Sequence, residues 1–225
     1  FRLHFVSDYI DIFLIEVREL IEYLKSNSNN ILLQINYQEI IGKKEPTSLD
    51  KLHTVYHKSS LYQVLLGKVF EIHPLSFFQV NYETATIIFE KVMNMVEYNP
   101  DFILLDVCCG VGIYSILLAD RFISTIGIDS NPCNIEAANS LTKLNYLENK
   151  CKFINGRVEN EIEKMGDLGD KTIILNPSRS GLPEKLALFW RENIKKVNQF
   201  IYVSCNPESL VRDLEIMDIK NNEII

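Results

Sequence analysis

Long apolar runs are missing from this sequence. None approaches the roughly 20 residues of a membrane-spanning helix, so no membrane partner is expected. Its N-terminus lacks the charged, apolar and small-residue order of a signal peptide. The chain begins at Phe1 rather than Met, so it reads as a fragment, and an upstream targeting segment stays open. Cysteine pairs of the CxxC kind are missing too, as are Cys-x-His clusters. The five cysteines are Cys108, Cys109, Cys133, Cys151 and Cys205. An odd number without a framework suggests a reducing compartment and argues against structural zinc, so no metal is expected. Positive charge is in short supply, with 23 Lys and Arg against 30 Asp and Glu, a formal net charge of −7. That disfavours gripping phosphates over a broad surface, so any nucleic-acid contact must be local or lie outside this chain. Nor is there a GxxxxGK[ST] phosphate loop. What remains is an ordinary globular composition, 47% hydrophobic and 24% charged.

Two rhythms divide the chain. Residues 8–24 carry Ile10, Phe13, Leu14, Val17, Leu20, Ile21 and Leu24 at helical spacing, and the Ser/Asn run from Ser26 to Asn30 breaks the pattern. Residues 31–41 read as a strand. Shorter strands follow at 52–56, 61–65 and 68–72, the last two joined by a turn at Leu66-Gly67. His53, His57 and His73 in this region read as ordinary strand or surface residues. Residues 1–76 are thus expected to form a small α+β subdomain. From residue 77 to 225 the pattern changes to strand–helix alternation. After a helix at about 82–96, strands fall near 102–107, 124–129, 151–155, 171–175 and 199–204. Helices fall near 113–121, 132–144, 157–165, 183–196 and 207–218. Such alternation predicts an α/β, doubly wound, Rossmann-like parallel sheet whose ligands bind at the carboxyl ends of the strands.

Three strand ends carry chemistry. Ile103 to Ser115 spells strand, glycine turn and helix, with Gly110 and Gly112 allowing close backbone approach. Ser115 stands where a dinucleotide site has its third glycine, so that fingerprint is incomplete. Asp129, nineteen residues after Gly110, ends the next strand, where a carboxylate can accept ribose hydroxyls. This combination fits S-adenosylmethionine better than NAD(P) or flavin. Asp106 is either part of that site or a brace for the glycine loop. The strand near 171–175 ends in Asn176-Pro177, either a plain turn or the amide of a methyltransferase site. The last strand ends in Ser204-Cys205-Asn206-Pro207. Asn206 is a good N-cap and Pro207 a good first helical residue. Cys205 is either a thiol beside a helix N-terminus, which stabilises a thiolate, or a buried cysteine closing a core strand.

Together these pieces resemble the RNA uracil-5-methyltransferases, which make 5-methyluridine in transfer and ribosomal RNA. The matching segments are Phe77-Phe78-Gln79-Val80-Asn81, Leu105 to Gly112, Asn176 to Leu182 and Tyr202 to Pro207, in the family's order. The double-cysteine loop looks like the animal tRNA homologues. The resemblance implies a methyltransferase fold with strand order 3-2-1-4-5, S-adenosyl-L-methionine as cofactor, and RNA, foremost tRNA, as substrate. It makes Cys205 the nucleophile. Gln79, Cys108, Gly110, Gly112, Ile113, Asp129 and Asn176 become cofactor-side residues, and Arg179 an RNA contact. Arg191, Lys195, Lys196 and Arg212 could add positive charge near the same edge, or form solvated helix faces. The enzyme is expected to act as a monomer inside the cell, in cytoplasm, nucleus or mitochondrion.

Two departures stand out. Asn176 replaces the Asp usual in the family and Ser178 replaces a proline. The family's basic Glu, in a His-x-Glu-like strand motif, has no counterpart before Ile225, so the final strands and that base are expected beyond this chain. Both departures favour an alternative, a catalytically impaired RNA-binding homologue. An exocyclic-amine methyltransferase is disfavoured, because Ser178-Arg179 lacks the aromatic residue that site uses. An RNA cytosine-5 enzyme is disfavoured because no second cysteine lies between Cys151 and Cys205.

Overall fold

The computed structural model describes residues 2–7, 34–39, 52–57, 62–72 and 82–219, with isolated positions 19, 22, 23 and 26. By backbone contacts the chain divides into two compact units, Phe1–Val64 with Val69–Ser76, and Leu65–Lys68 with Phe77–Ile225.

In the first unit, β1 (Arg2–Ser7) runs parallel to β2 (Gln34–Glu39), which pairs antiparallel with β3 (Leu52–His57). The sequence reading did not anticipate β1. Most of the expected helix at 8–24 lies outside the described residues. Glu19, Glu22, Tyr23 and Ser26 are helical, so helical structure reaches Ser26, the first residue of the expected break. The Ser26 hydroxyl donates to the Glu22 and Tyr23 carbonyls. His53 and His57 lie on β3, as expected, and His73 is outside the described residues. Strands β4 (Tyr62–Leu65) and β5 (Lys68–Glu71) form a hairpin. Leu66 and Gly67 both take positive φ, as a two-residue turn of primed type requires.

The second unit holds a five-stranded parallel sheet. Its strands are β6 (Ile103–Val107), β7 (Ser124–Asp129), β8 (Cys151–Asn155), β9 (Lys171–Leu175) and β10 (Gln199–Tyr202). They lie in the order β8-β7-β6-β9-β10, every pair parallel, which is the 3-2-1-4-5 arrangement anticipated. The helices are α1 (Tyr82–Met95), α2 (Ile113–Leu117), α3 (Pro132–Leu144), α4 (Val158–Glu161), α5 (Glu184–Asn193) and α6 (Pro207–Ile216). Helix ends read as continuous from the sequence are separate 3-10 turns at Ala119–Arg121, Ile162–Met165 and Ile194–Lys196.

Alternation along the strands sorts the core into two layers. Leu105, Val107, Ile173 and Leu175 face the layer that holds Val158, Leu186, Ala187 and Trp190, from α4 and α5. Trp190 is fully buried and meets Phe189 and Phe200 edge-on at 5.2 and 4.9 Å. Burying such a side chain contributes roughly 1.5–3 kcal/mol, and aromatic pairs add about 0.5–1.5 kcal/mol each. On the other face, Asp106 receives hydrogen bonds from Ser115 of α2, and Phe153 approaches Ala138 of α3 across Gly112. Strand β9, central and covered on both faces, is buried at every position, which explains why Thr172-Ile173-Ile174-Leu175 shows no polar alternation.

Candidate active site at the carboxyl edge of the sheet

Where β6 ends, the chain makes a tight loop with three positive-φ residues in five positions, Cys108 (60°), Gly110 (55°) and Gly112 (77°). The loop is held from both sides. Asp129, at the end of β7, accepts the Gly110 N–H at 2.9 Å on Oδ2. Its Oδ1 accepts from the Asn131 N–H at 2.8 Å and from Asn134 Nδ2 at 3.2 Å. Asp106 is fully buried, and its Oδ2 accepts both the Ser115 N–H at 3.0 Å and the Ser115 hydroxyl at 2.8 Å. Ser115, in the third-glycine place, is therefore a brace for the strand-end acid. The other oxygen, Asp106 Oδ1, is buried with no donor. Burial pushes this carboxyl up from 3.8 to about 6, opposed by the two Ser115 hydrogen bonds and reinforced by the Asp129 charge.

The two loop glycines do different work. A Cβ on Gly112 would lie 2.4 Å from the Phe153 ring, so this glycine lets α2 pack onto the sheet. Above Gly110, nothing lies within 4 Å of where a Cβ would be, so that backbone is open. Ile113, half-buried, opens α2 beside it. Gln79 lies outside the described residues.

The neighbouring strand ends carry the second half of the site. The Asn176 N–H donates to the Val107 carbonyl at 3.1 Å, and the Val203 N–H to the Leu175 carbonyl at 2.8 Å, so the sheet ladder runs on past β9 and β10. Beyond Val203 the chain turns through Ser204 and Cys205 into α6. Asn206 caps that helix by accepting the Glu208 N–H at 3.1 Å, with Pro207 in the first turn. The same side chain donates through Nδ2 to the Arg179 carbonyl at 3.0 Å. The cap residue thus ties the Asn176–Leu182 loop to the turn that carries Cys205.

Cys205 is exposed, which removes the buried-core reading of this cysteine. The other four cysteines are buried or half-buried. Burial, with the charges of Asp129, Asp106 and Glu159, pushes the Cys108 thiol up to about 12. Burial first, then Asp106 and Asp129, raises that of Cys109, and Cys151 is also raised, chiefly by burial. These three stay protonated at neutral pH and are poor nucleophiles.

The basic residues separate. Arg179 is exposed on the site loop. Lys195 and Lys196 precede β10, and the Asn198 N–H donates to the Lys171 carbonyl at the start of β9, so both lysines lie at the amino edge, away from the site. Arg191, in the last turn of α5, is carried the same way. Arg212 Nη2 is engaged with Asp213 Oδ1 at 2.6 Å and the Ser180 carbonyl at 2.7 Å, a structural use and not a free charge. Sequence reasoning missed Asp213, a fully buried carboxylate in mid-helix whose partners come from three separate segments. Among the described residues no helix is long and apolar enough to cross a membrane, and no group of three or more His, Cys, Asp or Glu is arranged to hold a metal ion.

Known proteins resemble this chain over most of its length. Residues 3–222 match the tRNA (Uracil-5-)-methyltransferase family. A tRNA (uracil(54)-C(5))-methyltransferase of Pyrococcus horikoshii is 32% identical over 194 residues, covering 84% of this chain and 44% of that protein. A tRNA (uracil-5-)-methyltransferase homolog B of Danio rerio is 32% identical over 195 residues, 84% of this chain and 40% of that one. The crystal structure of the Pyrococcus abyssi tRNA (uracil-54, C5)-methyltransferase, in complex with S-adenosyl-L-homocysteine, superposes with a TM-score of 0.67 at 30% identity. That match covers 82% of this chain and 44% of the other. The chain thus spans less than half the length of these relatives. On the match over residues 3–222, the chain belongs to the tRNA (uracil-5-)-methyltransferase family.

Proposed function

We propose that the protein methylates carbon 5 of a uridine in RNA, foremost tRNA, using S-adenosyl-L-methionine and a covalent bond between Cys205 and the base. The observation that carries this reading is the placement of Cys205. It is the exposed thiol of the five, at a strand end beside a helix N-terminus, and its turn is bonded to the Asn176–Leu182 loop.

The residues present fit the cofactor. The open backbone at Gly110 permits close approach, and Asp106 Oδ1 is a buried acceptor that the fold leaves unmet. Asp129 would hold a ribose hydroxyl. Three of its roughly four acceptor positions are already taken by Gly110, Asn131 and Asn134, so one remains. When bound, the cofactor supplies an electrophilic methyl group on its sulfonium.

The chain's own residues supply the nucleophile and the contacts to the uracil and the RNA. Carbon 5 of uracil is a weak nucleophile. The Cys205 thiolate adds to carbon 6, and the ring electrons move to give an enolate that is nucleophilic at carbon 5. Carbon 5 takes the methyl group. A base removes the carbon 5 proton, and the electron pair returns to the ring as the carbon–sulfur bond breaks and the thiolate leaves. Asn176 would hydrogen-bond the uracil edge, and its amide can donate as well as accept where a carboxylate only accepts. Arg179, exposed on the same loop, would meet the RNA backbone. The target nucleotide must leave its stack to bring carbon 6 to the thiol.

The test is to incubate the full-length protein with S-adenosylmethionine and a tRNA transcript, then digest the RNA to nucleosides. Accumulation of 5-methyluridine supports the reading. Tight RNA binding without 5-methyluridine would instead support a non-catalytic homologue.

A further inference from the structure

The carboxylate of Asp213 has a role that neither the motif chemistry nor the cofactor accounts for. It is fully buried on α6, yet accepts four hydrogen bonds. Oδ2 takes the Leu182 N–H and the Tyr202 hydroxyl, both at 2.7 Å. Oδ1 takes Arg212 Nε at 3.0 Å and Nη2 at 2.6 Å. Arg212 Nη2 reaches on to the carbonyls of Ser180 at 2.7 Å and Leu182 at 3.4 Å. Gly181 passes so close that a Cβ there would lie 2.4 Å from Asp213 Oδ2.

The network therefore grips one loop. Its backbone is held at Arg179 by Asn206, at Ser180 by Arg212, and at Leu182 by Asp213 and Arg212. The gripping groups belong to α6 or its cap, and α6 begins directly after the Cys205-Asn206 turn. Tyr202, the last residue of β10 and three before Cys205, is bonded to the same carboxylate. Leaving a buried carboxylate short of a donor is costly, so such a cluster holds one geometry and resists others.

We propose that Asp213, with Tyr202 and Arg212, is a positioning device that sets the separation between the Asn176–Leu182 loop and Cys205. A base held by the loop then meets the thiol at the angle needed for addition to carbon 6. This rests on the uridine reading above. None of the three side chains is assigned contact with cofactor or RNA.

The test uses the full-length protein as Tyr202→Phe and Asp213→Asn variants. The phenylalanine keeps the half-buried ring and deletes one donor. RNA containing 5-fluorouridine traps the adduct, because fluorine cannot leave as a proton. At saturating RNA, the rate of adduct formation should fall by about 10- to 100-fold in both variants, since small misplacements of reacting groups cost that much. Affinity for S-adenosylmethionine, measured by calorimetry, should stay within about twofold of wild type, because the cofactor loop is braced by Asp106 and Asp129 instead. Wild-type adduct rates in both variants would overturn the proposal. So would losses of rate matched by equal losses of cofactor affinity, which would mark a merely structural role.

Absence of any wild-type adduct would count against the uridine reading. The clamp is then judged by hydrogen exchange. Faster exchange of the Leu182 amide in Asp213→Asn, with altered alkylation of Cys205, supports it. Unchanged Leu182 protection and unchanged alkylation overturn it.

Discussion

Replacing Asp106 by an asparagine isolates the electrostatic cost of the cofactor loop. Folded Asp106 keeps its proton up to about pH 6, whereas its ordinary carboxyl value is 3.8, because the side chain is buried between the sheet and α2. Between those values the folded state holds a proton that the unfolded chain has released. The stability this group contributes is complete below about pH 4 and is lost as pH rises through about 6. A separation of roughly two pH units corresponds to about 3 kcal/mol. The substituted amide cannot titrate. Its oxygen still accepts from the Ser115 N–H and hydroxyl, while its new NH2 takes the place of the unpartnered Oδ1, at a pH-independent cost of about 1–3 kcal/mol. Urea unfolding of both proteins at several pH values is the assay. The stability of Asp106→Asn relative to wild type should rise by about 2–3 kcal/mol from pH 4 to pH 7. A difference that stays constant across that range would refute the buried, proton-holding carboxyl.

Other substitutions probe the two halves of the site separately. Gly181→Ala imposes a left-handed conformation, worth roughly 1–2 kcal/mol, and drives a Cβ into Asp213, breaking a buried hydrogen bond worth about 1–3 kcal/mol more. Gly110→Ala, also at positive φ but with nothing within 4 Å, should show only the conformational part, and equal losses in denaturant melts would contradict the clamp geometry. Asp129→Ala should weaken S-adenosylmethionine by roughly 1–3 kcal/mol through a lost charge-assisted hydrogen bond and a loosened Gly110. Calorimetry showing unchanged affinity would remove Asp129 from the cofactor site.

The parallel sheet was legible because strands and helices alternate with clear punctuation. Asn131-Pro132 and Asn206-Pro207 mark two helix starts, and both asparagines cap in the structure as their side-chain oxygens allow. Strand β1 was missed because its parallel pairing with β2 is a long-range fact that no local pattern states. The same limit applies within the site. Cys205, Asn176 and Asp129 announce themselves as chemical residues at strand ends. Asp213 looks like one more acid on a surface helix, since Tyr202, Leu182 and Gly181 reach it only once the sheet is folded. Charge was legible in amount but not in place. Lys195 and Lys196 are near Cys205 in sequence, yet the length of β10 separates them from it.

The central claim is that Cys205 bonds to the base. The direct measurement is denaturing electrophoresis and peptide mass mapping of the full-length protein after reaction with 5-fluorouridine RNA and S-adenosylmethionine, for wild type and Cys205→Ala. The account predicts a stable protein–RNA adduct in wild type, attached at Cys205. It predicts no adduct in the variant, with cofactor affinity nearly unchanged because the thiol acts on the base. An adduct that persists in Cys205→Ala, or that maps to Cys108 or another residue, would contradict it.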